Sequence, residues 1–143
     1  MKRFVVLAAA LVAGCSEPEP LRVEGAWLRL PAVAGRPGAA YGVIRGGPEP
    51  ATLISAASDW AVRVELHETV RRGGVSAMER MRSVAIPANG AVEFRPGGRH
   101  LMVYGINPAV RVGDTMTFTF YFADGRRVRR IAQVVGPGDP APE

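Results

Sequence analysis

The sequence predicts an all-β protein, an antiparallel sandwich of many short strands. Three observations lead there. Apolar and polar residues alternate with a period of two, most clearly over Val62–His67 and over Thr115–Phe122, where Met116, Phe118, Phe120 and Phe122 fall on one side. Turn signals such as Gly73-Gly74, Pro96-Gly97-Gly98 and Asp124-Gly125 punctuate these runs. No long stretch carries a helical stripe, and strands in such numbers bury their apolar faces by stacking two sheets.

The elements follow in order. Leu21–Leu30 partly alternates around Trp27 and reads as a first strand; the prolines and glycine of Pro31–Pro37 make a loop. Ala39–Ile44 is a short apolar run suited to a buried strand, ended by Gly46-Gly47-Pro48, and Ala51–Ala57 is another, ended by Ser58-Asp59. In the next strand Val62, Val64 and Leu66 share one face, and Arg63, Glu65 and His67 share the other. Gly73-Gly74 turns the chain, Val75–Ile86 returns with mixed patterning, and Ala91–Phe94 is a brief strand before Pro96-Gly97-Gly98. His100, Met102 and Tyr104 alternate with Leu101 and Val103, and Thr115–Phe122 and Val128–Val135 form a hairpin about Asp124-Gly125. Residues 22–135 thus make one domain without repeat or linker, followed by an expected disordered tail over 136–143, rich in Pro and Gly.

The start of the chain carries an export signal. Lys2 and Arg3 precede an apolar run from Phe4 to Ala13, which is too short to span a membrane. Small residues before Cys15 resemble a bacterial lipoprotein cleavage box. Residues 1–14 are therefore expected to be a signal peptide, Cys15 the lipidated first mature residue, and residues 15–21 an acidic, proline-broken tether. The alternative is an ordinary signal with an incidental cysteine.

Composition narrows the function classes. The formal charge is +5, and loss of Lys2 and Arg3 with the signal leaves +3, all of it carried by arginine. Positive charge clusters only at Arg126-Arg127 and Arg129-Arg130, which reads as the solvated face of an edge strand. Nothing here indicates a nucleic-acid interface. With its single cysteine acylated, the mature chain has no thiol for disulfide exchange or for a type 1 copper site. No nucleophile motif or paired carboxylates suggest an enzyme, and a monomer is expected.

Only two histidines occur, and both stand in a pattern with methionine: His67, ten residues, Met78, twenty-one residues, His100, one residue, Met102. Two imidazoles and two thioethers suit a soft ion, Cu(I) above all. In a strand His100 and Met102 point the same way, and the preceding Pro-Gly-Gly turn would set them at the rim of a sandwich, with His67 at the rim end of its own strand. Glu68 could orient an imidazole or simply be a strand-end charge. The plain alternatives are a hydrogen-bonded histidine and methionines serving as core filler; Met116 reads as core, whereas Met81 competes with Met78.

The spacing H-x10-M-x21-H-x-M resembles the signature of the PCu(A)C-type periplasmic copper chaperones. The likeness continues through Ala26-Trp27-Leu28-Arg29, Val64-Glu65-Leu66-His67-Glu68, Arg95-Pro96-Gly97-Gly98 and Val112-Gly113-Asp114, in order. The resemblance implies a cupredoxin-like, antiparallel Greek-key β-sandwich binding one Cu(I) through His67, Met78, His100 and Met102. It implies delivery of copper to a respiratory oxidase subunit, alongside Sco-type copper proteins. Met81-Arg82-Ser83-Val84 has the local look of the family's central methionine, so Met81 stays open as the third ligand. The tail lacks His and Met, so one site is expected. A copper-sequestering lipoprotein and a metal-free structural β-sandwich lipoprotein are the competing readings.

Overall fold

The computed structural model describes residues 16–143; the expected signal peptide and Cys15 lie outside the described residues. The described residues form ten strands: β1 (Arg22–Arg29), β2 (Gly38–Arg45), β3 (Ala51–Ala57), β4 (Ala61–Arg72), β5 (Val75–Arg80), β6 (Val84–Ile86), β7 (Ala91–Phe94), β8 (Arg99–Ile106), β9 (Thr115–Phe122) and β10 (Arg127–Val135). No helix among the described residues is long and apolar enough to cross a membrane.

The hydrogen-bonded order is β5-β4-β8-β2-β1-β10-β9-β3-β6, with β7 also on β2. Every pairing is antiparallel except β1 with β10. The path folds on itself as the expected all-β sandwich. Phe118, Phe122, Leu28, Leu53, Ile86 and Val103 are fully buried between its layers. The period-two pattern of β9 is realised throughout, with the residues at 116, 118, 120 and 122 buried. Each such aromatic withdraws enough surface to contribute about 1.5–3 kcal/mol.

Three local features shape the outer face of β1, β2, β8 and β4. First, β1 bulges: Glu24 pairs with Val43 but Trp27 pairs with Tyr41, and Gly25 takes φ 55°. Ala26 and Leu28 face the core, while Trp27, 7% exposed, lies against Tyr41 on the outer side, ring centres 4.5 Å apart. Second, β7 and β8 lie along the same edge of β2, with Arg95–Gly98 looped out between them. Gly97 supplies the positive φ of 78° that this turn needs. Third, β4 overruns β8: its pairing with β8 stops at Glu68–Arg99, and Thr69–Arg72 pair only with β5.

Residues 75–86, mixed in pattern, form two strands: β5 continues the β4 hairpin and β6 crosses to β3, because Met81, whose N–H bonds Leu66 O at 2.8 Å, ends the first pairing. One expectation is revised: β10 is not a simple edge strand. β9 borders its length and β1 joins at Gln133–Val135, so only the arginine-bearing half keeps an open side. After β10 the chain makes a turn in which Gly136 N–H bonds Asp139 Oδ2 and Arg29 Nη2 bonds Asp139 O.

Candidate metal centre

The two histidines meet. His67 of β4 and His100 of β8 are cross-strand partners, ring centres 5.8 Å apart. His67 does not end its strand, as the sequence suggested; five further residues of β4 follow, because the β5 hairpin extends the pairing. His100, the second residue of β8, sits where the Pro-Gly-Gly loop rejoins the sheet.

Strand parity sorts the methionines. Met102 lies two residues from His100 and opposite Glu65, on the outer face. Met78 pairs with Thr69, two residues from His67, so it shares that face and is diagonal to His67, within reach of a long side chain. It is 61% exposed. Met81 follows Arg80, the partner of His67, and so falls on the opposite side, where it packs against the core. His67, His100, Met102 and Met78 therefore share one face, and Met81 does not.

Hydrogen bonds settle the state of each imidazole. His100 is 3% exposed, and its Nδ1–H donates to Gly98 O at 3.0 Å; the same carbonyl accepts Thr69 N–H at 3.1 Å. His67 Nε2–H donates to Glu65 Oε2 at 2.9 Å. A carbonyl and an ionised carboxylate only accept, so each neutral ring carries its proton on the bonded nitrogen. The other nitrogens, Nδ1 of His67 and Nε2 of His100, are buried lone pairs without a hydrogen-bond partner among the described residues. Buried polar atoms left unpaired are rare and costly.

Electrostatics shift two groups at this site. Burial pushes the His100 imidazole below the usual histidine range, against the opposing effect of the Gly98 bond. The bond from His67, with Arg63 and Arg80 nearby, holds the Glu65 carboxyl below its usual value. Glu65, not Glu68, is the acid at this site. Residue 68 points to the other side of β4 and meets Arg99 at 3.7 Å. The i, i+2 rule was the signal that could have picked Glu65. Tyr41, 6.5 Å from His100, and Trp27 beyond it complete an aromatic row that the sequence reading did not assign to the site.

A depressed His100 also makes the metal-free fold pH-sensitive. The unfolded chain takes up that proton first as pH falls, so stability is full above the ordinary histidine range and declines below it toward the lowered native value. Thermal melts of metal-free protein at pH 7.5 and pH 5 should show this decline, and a variant lacking the imidazole should show less of it.

The donor set fits a soft monovalent ion. Among the described residues no group of three or more His, Cys, Asp and Glu side chains is placed to hold a metal. Bonds of about 2 Å from two ring nitrogens to one ion put the ring centres roughly 5–6.5 Å apart, and the observed 5.8 Å lies in that range. Neutral nitrogen and sulfur donors favour Cu(I) over hard cations.

The comparisons agree with this architecture. Among solved structures, the copper-bound PCuAC domain from PmoF2 superposes with a TM-score of 0.68 at 23% identity, covering 85% of this chain and 97% of that one. The solution structure of CuI-DR1885 from Deinococcus radiodurans gives 0.68 at 30% identity, covering 86% and 83%. The fold is thus the cupredoxin-like sandwich of PCuAC domains. Among curated proteins, "Putative lipoprotein Lxx21020" of Leifsonia xyli subsp. xyli is 31% identical over 76% of this chain and 66% of its own length. "Uncharacterized protein RP573" of Rickettsia prowazekii is 34% identical over 50% of this chain and 40% of its own. The chain therefore spans less than two thirds of the curated relatives it matches. The family model described as "Putative lipoprotein LpqE-like" matches residues 21–134. The chain belongs to that LpqE-like family, built on the PCuAC-domain fold.

Proposed function

We propose that the protein is an exported, lipid-anchored Cu(I) carrier that delivers copper to a respiratory oxidase copper centre, directly or through a Sco-type thiol protein. Cys15 would bear the lipid on the periplasmic side, and His67, Met78, His100 and Met102 would hold the ion. One observation carries the reading: two buried imidazole lone pairs without partners lie on neighbouring strands, and two thioethers share their face. The likeness to a Cu(I)-bound structure at 30% identity supports it.

The arrangement suits transfer. All four donors are neutral, so no thiolate charge ties the ion down. His100 is enclosed while Met78 stands open to solvent. An incoming thiolate would meet the ion from the Met78 side and displace that thioether first, with the histidines letting go last. Protonation of the imidazoles opposes binding, so retention should weaken in acid; burial of His100 moves its share of that loss below the ordinary histidine range.

Anaerobic Cu(I) titration with X-ray absorption tests the ligand set: two nitrogen and two sulfur neighbours are expected, and a site without sulfur would overturn it. Met78→Leu should weaken Cu(I) binding by about tenfold or more, some 1.4 kcal/mol, whereas Met81→Leu should leave affinity unchanged. The opposite ranking would move the third ligand to Met81. Copper transfer from the loaded protein to an apo oxidase domain distinguishes delivery from sequestration; failure to release to that acceptor would favour storage.

A further inference from the structure

We propose that Glu65 is a positioning residue of the copper site: it clamps His67 so that Nδ1 of His67, together with Nε2 of His100, faces the ion. The inference rests on the carrier reading and deepens it by assigning the donor atoms and the group that selects them.

His67 and Glu65 lie two residues apart on β4 and thus share the outer face. The contact is well made, with Nε2 and Oε2 2.9 Å apart and both side chains only 12% exposed. A free imidazole presents either nitrogen and rotates. Here the ionised carboxylate occupies Nε2, fixing both the proton position and the ring plane. Only Nδ1 remains, and it is buried and unpartnered.

The carboxylate is itself held. Arg63 Nε meets Glu65 Oε1 at 2.9 Å, and Arg63 lies over the Tyr104 ring at 4.2 Å. Arg80, the cross-strand partner of His67, stands 4.0 Å from the same oxygen. One carboxylate oxygen is thus occupied by arginine and the other by histidine. Glu65 is also the cross-strand partner of Met102, so it sits between two proposed ligands without being needed as one.

His100 is oriented by different means. Its clamp is a backbone carbonyl, Gly98 O, which holds Nδ1 and frees Nε2. The two rings therefore offer opposite nitrogens, and the mixed pattern follows from a side-chain acceptor on one strand and a loop carbonyl on the other.

The test is nitrogen-15 NMR of the histidine rings, with Cu(I) as the probe. In metal-free wild type, His67 should carry a protected Nε2–H and His100 a protected Nδ1–H. Loading with Cu(I) should shift Nδ1 of His67 and Nε2 of His100. Glu65→Ala should lose the protected His67 N–H and weaken Cu(I) binding about 10–100-fold, with thermal stability nearly unchanged. Glu65→Gln, which keeps an acceptor oxygen, should recover most of both. A purely structural Glu65 would lower stability and affinity together and would not be rescued in this way. A copper-induced shift at Nε2 of His67, or a Glu65→Ala protein that binds Cu(I) as tightly as wild type, overturns the proposal. Should wild type take up no Cu(I), the carrier reading falls with the copper role of Glu65, and the metal-free spectrum still reports whether the clamp itself exists.

Discussion

Replacing His100 with phenylalanine is expected to remove Cu(I) binding while leaving the metal-free fold as stable as before, or more so. The two effects have separate origins. Nε2 of His100 is a buried acceptor with no donor among the described residues, which costs the metal-free protein roughly 1–3 kcal/mol. Phenylalanine keeps a ring of similar shape against Tyr41 and discards that acceptor. It also loses the bond to Gly98 O, worth about 1 kcal/mol, so the balance is near zero or favourable. Cu(I) affinity should fall by at least ~100-fold, about 2.8 kcal/mol. Parallel calorimetric melts and anaerobic competition titrations give both readouts. A large drop in metal-free stability would mean that His100 is a structural polar residue and not a ligand kept at the expense of the fold.

Phe118→Ala should do the reverse, weakening the fold without touching a donor. Phe118 is 1% exposed, in the middle of β9, on the inner side of the sandwich. Removing the ring leaves a cavity among neighbours that relax only in part, at about 3–5 kcal/mol. Total stability for a domain of this kind is about 5–15 kcal/mol, so the variant should approach the threshold of folding. The inner face of β8, through Leu101 and Val103, belongs to the same core, so His100 and Met102 ride on the packing that Phe118 supports. The folded fraction should still bind Cu(I) normally, and saturating copper should recover part of the loss by mass action. Denaturant unfolding with and without Cu(I) measures this; a loss below ~1 kcal/mol would show that the site collapses around the missing ring.

The strands were legible because their side chains alternate. Residues 115–122 show this best: every second one is large and apolar, and every second one is buried. The four proposed donors were legible as chemistry, since two histidines and their methionines are few enough to stand out. What the linear pattern could not carry was pairing. That β1 would lie parallel to β10 depends on contacts between the two ends of the domain, for which neither strand has a local signal. The split of residues 75–86 into β5 and β6 turns on the sharp departure at Met81. That same departure places residues 78 and 81 on opposite faces, which spacing alone left open. Glu65 was within reach, because residues two apart on a strand share a side, but Glu68 stands next to the histidine and drew attention by adjacency alone.

The parallel closure of β1 on β10 has a kinetic consequence. Trp27 finds Gln133 only after nearly the whole domain has been made. Joining such distant segments means closing a long loop before any contact rewards it, and sheet proteins with pairings of this kind fold in milliseconds to seconds rather than microseconds. β4, β5 and β8, which carry His67, Met78, His100 and Met102, are all synthesised before β9 and β10, whose apolar residues complete the core beneath them. A new chain would therefore spend its earliest moments with these side chains in place but unenclosed, and the time at which the proposed copper site is completed is set by its final strand.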